Sequence, residues 1–492
     1  MTALDDMTKF AIIECIILYK EAKQMKKDNR LQQEARKQMM ATDPIGRVIM
    51  KMSIPTIVAF LIQSIYSLAD TYFVSNLGTA ATAAVSVNSA LDQMIMMCGS
   101  MLAVGANSYI ARLLGQGKDE KASQVLSVAF FLAFGIGALL TVFGSIFLTP
   151  MVRLLGATPT NERYAADYAT YVLLAAPFMA TSFVMNQCLR SEGSATLSMI
   201  GMGFGGVLNC VLDPFFINGC EAIGLPAMGV TGASIATAIS KFVSFCILLF
   251  PYLTHRSLLN LSIRNFRPNW DILSKIVSVG SSSMFRNLLA VISAVFLNKL
   301  AGNISDAVQA GIGVCTKVMM FPFSIILGFG TGFQPVAGFN WGAKRYDRVL
   351  ESFRFSSWVS IIGGVVMAAI LAIGADWTIQ LFDKTGDTQM LEVGALAIRL
   401  QCIALPIHGW VAVVNMLCAG LGNAGGAVAL STARQGSCML PILFPMALIW
   451  GATGIASVQA VADMLTLALA VPIAIYMLKK IKNAQQLQQA TE

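Results

Sequence analysis

From about residue 53 onward the chain alternates between apolar runs of twenty or more residues and short polar connections. A helix needs about 20 mostly apolar residues to cross a bilayer. The pattern therefore predicts twelve membrane-spanning helices, at 53–75, 82–110, 124–149, 165–189, 196–218, 229–253, 274–298, 307–335, 354–375, 392–419, 426–449 and 451–477. These runs are too long and continuous for the roughly ten-residue alternating strands of a membrane barrel, so the expected fold class is an all-α polytopic membrane protein. Residues 1–44 break the pattern: "FAIIECIILY" is a short apolar run interrupted by Glu14, and the charged "KEAKQMKKDNRLQQEARK" follows it. A signal peptide would have a basic start and a small-residue cleavage site, and this segment has neither. It reads as a polar extension, either an interfacial amphipathic helix or sequence ahead of a true start at Met39 or Met40.

Composition agrees with burial in lipid. Hydrophobic residues make up 56% of the 492 and charged residues only 12%, with a mean hydropathy of +0.68, whereas soluble domains carry about 25% charged residues. The net charge of +8 is mostly a matter of topology. Of the 34 Lys and Arg, 25 fall on the side that holds both termini, and four (Arg153, Arg163, Lys299 and Lys384) fall on the other. Positive residues mark cytoplasmic connections, so both termini are expected in the cytoplasm, and a nucleic-acid partner has no support. The ten cysteines form no C-x-x-C pair and lie mostly within spans, as small packing residues do.

The two halves of the chain resemble each other. "VGANSYIARLLGQGKDEKASQVL" from Val104 aligns with "FGTGFQPVAGFNWGAKRYDRVL" from Phe329, placing Gly105 opposite Gly330 and Gly117 opposite Gly342. "APFMATSFVMNQCLRSEGSA" aligns with "LPIHGWVAVVNMLCAGLGNA", matching Pro177 with Pro406, Asn186 with Asn415 and Gly193 with Gly422, and "GVTGAS" at 229 meets "GATGIA" at 451. Six spans per half is an even number, so both halves enter the membrane in the same direction, as in transporters that rock about a central cavity. The expected organisation is an extension (1–44), an N-lobe (45–253), a linker (254–273), a C-lobe (274–478) and a tail (479–492).

Several segments resemble the multidrug and toxic compound extrusion (MATE) family, in particular its prokaryotic DinF-like branch. They are "SIPTIVAFLIQSIYSLADTYFVSNLG", "NCVLDPFFI", "MGVTGASIATAIS" and "FPFSIILGFGTGFQPVAGFNWGAKRYDRV". The resemblance covers residues 45–478 and implies a secondary antiporter in a bacterial inner membrane. Such a protein exports small organic compounds by alternating access as H⁺ or Na⁺ enters, with no other cofactor and with membrane lipid as its surroundings, and a monomer is expected. It also implies a cation site in the N-lobe, carried over to Asp70, Asn209, Asp213 and Thr231, which would be the Na⁺ ligands, with Tyr168 and Asn186 as supporting polar positions. A lipid-linked oligosaccharide flippase of the same superfamily is the alternative, and the count of twelve spans argues against it.

The residues themselves support the acid site. An Asp at mid-membrane costs about 2.5–3.5 kcal/mol on insertion scales, and such residues face polar interiors and mark ion pathways. Asn209 lies one turn before Asp213 and shares its face, and Pro214 frees the carbonyl of Cys210. At 1.5 Å per residue, Asp70 and Asp213 each lie about 25 Å from the cytoplasmic starts of their spans and so are level. Asp92, with Asn88 one turn before it, is a third embedded acid and reads more readily as part of a water-filled entrance. Asn186 recurs in the second half as Asn415, which favours an architectural role, whereas the acids do not recur. Arg286, Lys317 and Arg399 give the second half the opposite bias, toward anionic or zwitterionic substrate groups. The competing reading pairs these cations with Asp463, helix ends or headgroups.

Enzymatic alternatives find no residues. "GMGFGG" and "GFGTG" sit inside apolar helices without a preceding strand, and Lys118 in "GQGKD" is followed by Asp, so no phosphate-binding loop is present. The two histidines, His255 and His408, form no H-E-x-x-H.

Overall fold

The computed structural model describes residues 29–75, 79–159, 161–219, 224, 226–380 and 388–491. The apolar run of the N-terminal extension and Lys384 lie outside them. Among the described residues there is no strand. The described residues open with a helix over 29–42 (α1). The first half continues with α2 (Ile45–Ser75), α3 (Thr79–Gly115), α4 (Asp119–Ile146), the short α5 (Leu148–Leu154), α6 (Glu162–Ser191), α7 (Ala195–Asn218) and α8 (Gly229–Leu253). The second half holds α9 (Trp270–Ile304), α10 (Asp306–Gly342), α11 (Tyr346–Ile373), the short α12 (Ala375–Gln380), α13 (Thr388–Leu421), α14 (Ala424–Thr432) and α15 (Met439–Thr491).

Eleven helices among the described residues are long and apolar enough to cross a membrane, and the last of them makes two passes. Gly451, at φ 55° and ψ −128°, reverses the chain inside α15. A Cβ on Gly454 would lie 2.0 Å from the carbonyl oxygen of Met446, two residues that a straight helix would hold about 12 Å apart. The matching turn in the first half is built the same way: Gly229 also has φ 55°, and a Cβ on Gly232 would lie 2.2 Å from the oxygen of Phe216. The chain is a multi-pass membrane protein with twelve crossings. The eleventh differs from the sequence expectation of one helix over 426–449, because a π-helical segment, Ala433–Ser437, separates α14 from α15.

Glycines fix the register of the repeat. A Cβ on Gly115 would meet the Phe339 oxygen at 2.0 Å, and one on Gly342 would meet the Arg112 oxygen at 2.1 Å; both pairs, 115 to 342 and 112 to 339, differ by 227. The left-handed residues Gly117 (φ 71°) and Lys344 (φ 57°) keep the same spacing. The structural partner of Gly105 is thus Gly332, two residues beyond the Gly330 of the sequence alignment. In α2 and α9 the spacing is 223, because Gly332 abuts Ser53 where Gly105 abuts Ile276, and Gly328 abuts Ile57 where Gly280 abuts Met101. The Pro177 and Pro406 match holds in three dimensions: Gly137 packs on the backbone of Pro177, and Gly364 packs on that of Pro406.

The contacts of Gly105, Gly115, Gly280, Gly328, Gly332 and Gly342 each join one half to the other, and they weld the halves toward the end that carries the basic connections. One apolar core at that end takes residues from both, among them Ile49, Tyr109, Leu126, Phe333 and Leu417. Toward the opposite end each half keeps a core of its own, one drawn from residues 74–233 and the other from 301–456. The halves are therefore closed at the basic end and part toward the other.

The described part of the N-terminal extension is built into this closure. Met39 and Met40 of α1 are buried in the shared core. Gln33 donates to the carbonyls of His255 and Ser257 at 3.1 and 2.7 Å, Arg36 donates to the Arg256 carbonyl, and Lys37 pairs with Asp119. From the second half, Arg348 donates to the Asp43 carbonyl at 2.8 Å. In place of lying along lipid, α1 packs across connections from both halves.

Candidate functional site

The glycines of α7 explain how its neighbours come close. Gly203 and Gly206 face Ile62 of α2, while Gly201 and Gly205 face Leu248, Ser240 and Ser244 of α8. The Ser244 hydroxyl donates to the Gly201 carbonyl at 2.8 Å. With α2 on one side and α8 on the other, the polar stripe of α7 meets theirs.

Asp213 is fully buried and Asn209 is 2% exposed. The Asn209 amide donates to Asp213 Oδ1 at 3.1 Å and to the Thr237 hydroxyl at 3.2 Å. The buried Tyr168 phenol lies within electrostatic reach of Asp70 and Asp92. Asp70 also acts electrostatically on Asp213. Three oxygens shielded from solvent lack a hydrogen-bond partner among the described residues: Asp213 Oδ2, Asn209 Oδ1 and Asp70 Oδ1. Buried polar atoms in native proteins are nearly always paired, so this set fits a ligand that binds through oxygen. Among the described residues, no three or more His, Cys, Asp or Glu side chains gather as a metal cluster.

The site is larger than the sequence indicated. Lys241 of α8 donates to the Tyr66 hydroxyl at 3.1 Å, with its ammonium 4.8 Å from the ring centroid, and acts electrostatically on both Asp70 and Asp92. Lys241 lies one turn beyond Thr237 and so shares its face, a spacing legible in "TAISK". Asp92 joins this cluster of charges, and its Oδ1 is also unpartnered. Asn88 does not pair with it, since its amide donates to the carbonyls of Ala84 and Ala165. Thr231 heads α8, and its carbonyl accepts from Ser234; the threonine that bonds Asn209 is Thr237. Asn186 makes no bond to Asn209 or Asp213. It donates to the Ser198 carbonyl at 3.1 Å and lines a cavity of about 60 Å³ with Gln63, Tyr66 and Lys241.

The cations of the second half separate. Arg399 pairs with Asp376 at 2.6 Å, both half-exposed, and Lys317 is exposed. Arg286 lines a cavity. The partner of Asp463 is Arg434, at 2.7 Å and buried. Arg190, which the loop count places in a connection, is buried at the end of α6, stacked 5.4 Å from Phe60 and bonded to the Ser198 hydroxyl.

A MatE family profile matches residues 55–215 and 282–449, which is most of both halves. The chain belongs to the MatE family. Relatives include the multidrug export protein MepA of Staphylococcus aureus (strain NCTC 8325 / PS 47), 26% identical over 89% of this chain and 94% of that protein. MepA of Staphylococcus saprophyticus is 26% identical over 88% and 93%. The fold matches a solved structure described as the outward-facing conformation of a multidrug resistance MATE family transporter of the MOP superfamily, with a TM-score of 0.83 and 24% identity over 91% of this chain and 98% of the other. MatE membership makes the chain a transporter rather than an enzyme. Within that frame the paired prolines and glycines are architecture common to both halves. The acids are particular to the first half: at the repeat spacings, Asp70 falls opposite Ser293 and Asp92 opposite Met319.

Proposed function

We propose that this protein is a secondary antiporter that exports small organic compounds, in the way the MepA relatives are named for, and that H⁺ or Na⁺ moving inward at the Asp213 site drives it. The observation that carries the reading is the fully buried Asp213, whose Oδ2 lacks a partner among the described residues and which lies within electrostatic reach of a second, partly buried carboxylate, Asp70. Two such carboxylates repel when both are charged, and leaving a buried charge unpaired costs several kcal/mol. One proton or one Na⁺ removes much of that cost. Asp213, Asn209 and Asp70 would offer oxygens to Na⁺, while Thr237 holds the amide of Asn209 so that its own oxygen faces the site.

The coupling follows from which elements carry these groups. Asp70 sits on α2 and Asp213 on α7, so filling the site draws α2 toward α7, and α2 is also packed on Gly328 and Gly332 of α10 at the closed seam. Loading the cation thus alters the helix that joins the halves. A ligand shifts such an equilibrium only by its difference in affinity between the two states, and a carboxylate pair that is dry in one state and wet in the other supplies that difference. On this reading the basic end faces the cytoplasm of a bacterial inner membrane, the conformation is open outward, and α1 is a cytoplasmic strap.

Efflux from proteoliposomes with separately imposed pH and Na⁺ gradients tests the reading. Organic cation efflux driven by one gradient is the expected result; efflux indifferent to both would overturn it.

A further inference from the structure

The second half contains a cavity of about 220 Å³ lined by Arg286, Asn287, Phe323, His408, Asn415 and Arg434 among others. Its place in the repeat matches the small cavity of the first half, but its chemistry is different. At the spacing of 223 set by Ile57 and Gly280, Arg286 stands where the first half has Gln63. At the spacing of 229 set by Pro177 and Pro406, His408 stands where the first half has Met179. At the spacing of 222 set by Gly229 and Gly451, Asp463 replaces Lys241. The repeat therefore required none of these charges.

Arg434 and Asp463 neutralise each other, with Nε to Oδ1 at 2.7 Å. The Arg434 guanidinium lies 4.3 Å from the Phe323 centroid, and the His408 ring packs against Phe323 at 5.2 Å, so Phe323 holds both in place. Arg286 is left with one bond, to the Ser283 hydroxyl at 3.1 Å, and with no carboxylate at ion-pair distance among the described residues. His408 Nδ1 is shielded from solvent and unpartnered among them. The Asn415 amide donates to the Ser431 hydroxyl at 2.8 Å, which positions it on the wall. Ile326, Leu327, Val411 and Leu430 supply an apolar floor.

We propose that this cavity binds the carboxylate of a small amphiphilic organic acid, with Arg286 as its counter-ion and the apolar wall holding its body. A guanidinium presents a rigid fork of donors that matches a carboxylate in two bonds. The volume is below the roughly 300–1,000 Å³ of drug-sized pockets, which suits one ring system. The role of such an acid as cargo rests on the export reading above; its binding does not.

The test is equilibrium binding of 2-naphthoate to the purified full-length protein, with 2-naphthylmethylammonium as its cationic counterpart. Saturable naphthoate binding is expected, weakened at least tenfold in Arg286→Gln and less in Arg286→Lys, which keeps the charge but loses the two-bond fork, with no parallel loss of the ammonium compound. Asn287→Asp, which keeps Arg286 and adds a negative charge to the wall, should weaken naphthoate by a similar factor. No saturable naphthoate binding, wild-type affinity for naphthoate in both Arg286→Gln and Asn287→Asp, or a wild-type preference for the ammonium compound would each overturn the proposal. Gradient-driven efflux of tetraphenylphosphonium from liposomes of the same preparation reports on the export reading separately, so failure of one is told from failure of the other.

Discussion

Replacing Gly280 by alanine puts one methyl group into the seam that closes the basic end. An ideal Cβ there would lie 1.9 Å from the Met101 carbonyl oxygen and 2.8 Å from its carbon. Both atoms are backbone of α3, so no side chain can swing aside, and α9 must retreat from α3 by more than an ångström. Overpacking of this kind costs about 1–3 kcal/mol. A state in which the seam is open does not incur that cost, so the substitution shifts the balance between the states by about 5- to 150-fold. Spin labels at the exposed positions Lys118 and Lys344, in repeat-related turns, in a background with native cysteines replaced, report the separation across this end. The Gly280→Ala protein should show a longer distance at greater population than the parent. Thermal unfolding of the same protein serves as the control. A lowered Tm with an unchanged distance distribution would refute the reasoning, because the seam would then be fixed packing and not one side of a switch.

Other consequences concern single contacts. Asp463→Leu leaves the buried Arg434 guanidinium unpaired and should cost about 3–5 kcal/mol, most of it recovered in Arg434→Met/Asp463→Leu; unfolding of the single and double variants measures this. Burial pushes the Glu192 carboxyl above the ordinary glutamate value, even though it accepts from Ser257 and the Leu258 amide at 2.6 and 2.7 Å. The folded state then holds this proton longer than the unfolded one, so the contribution is full at low pH. It falls as pH rises from the unfolded value, about 4.3, through the folded one. Melting curves from pH 4 to 7 should show wild type losing ground to Glu192→Gln as pH rises, and a gain would contradict the assignment. Met40 of α1 is 2% exposed, so Met40→Ala should lower stability by about 2–5 kcal/mol, where an undocked helix would show less than about 0.5.

What could be read in the sequence followed its periodicities. Asn209 and Asp213 are four apart, which fixes a shared face whatever packs on it, and Asp70 could be matched to them by depth alone. The repeat was visible because Pro177, Pro406, Gly193 and Gly422 do the same backbone work in each half. Rotation about a helix axis is harder to read. Thr231 and Thr237 lie six residues apart, about 120° around α8 at 100° per residue, and only the packing of Gly205 on Ser240 and Ser244 decides which one faces Asn209. Pairings across the sequence were also hidden: Arg434 meets Asp463, and Arg399 meets Asp376, whereas Arg286 lines a cavity with no carboxylate at ion-pair distance among the described residues. Arg190 falls just past the predicted span 165–189, but α6 continues to Ser191 and takes the guanidinium inside.

On the proposed function, Asp213 couples cation entry to export. Simultaneous measurement of cation uptake and tetraphenylphosphonium efflux in proteoliposomes containing wild type or Asp213→Asn tests this coupling. Wild type should move the two in fixed proportion, and Asp213→Asn, folded and still able to bind the organic cation, should lose gradient-driven efflux together with cation uptake. Wild-type efflux by Asp213→Asn, with cation uptake in the same proportion, would contradict it.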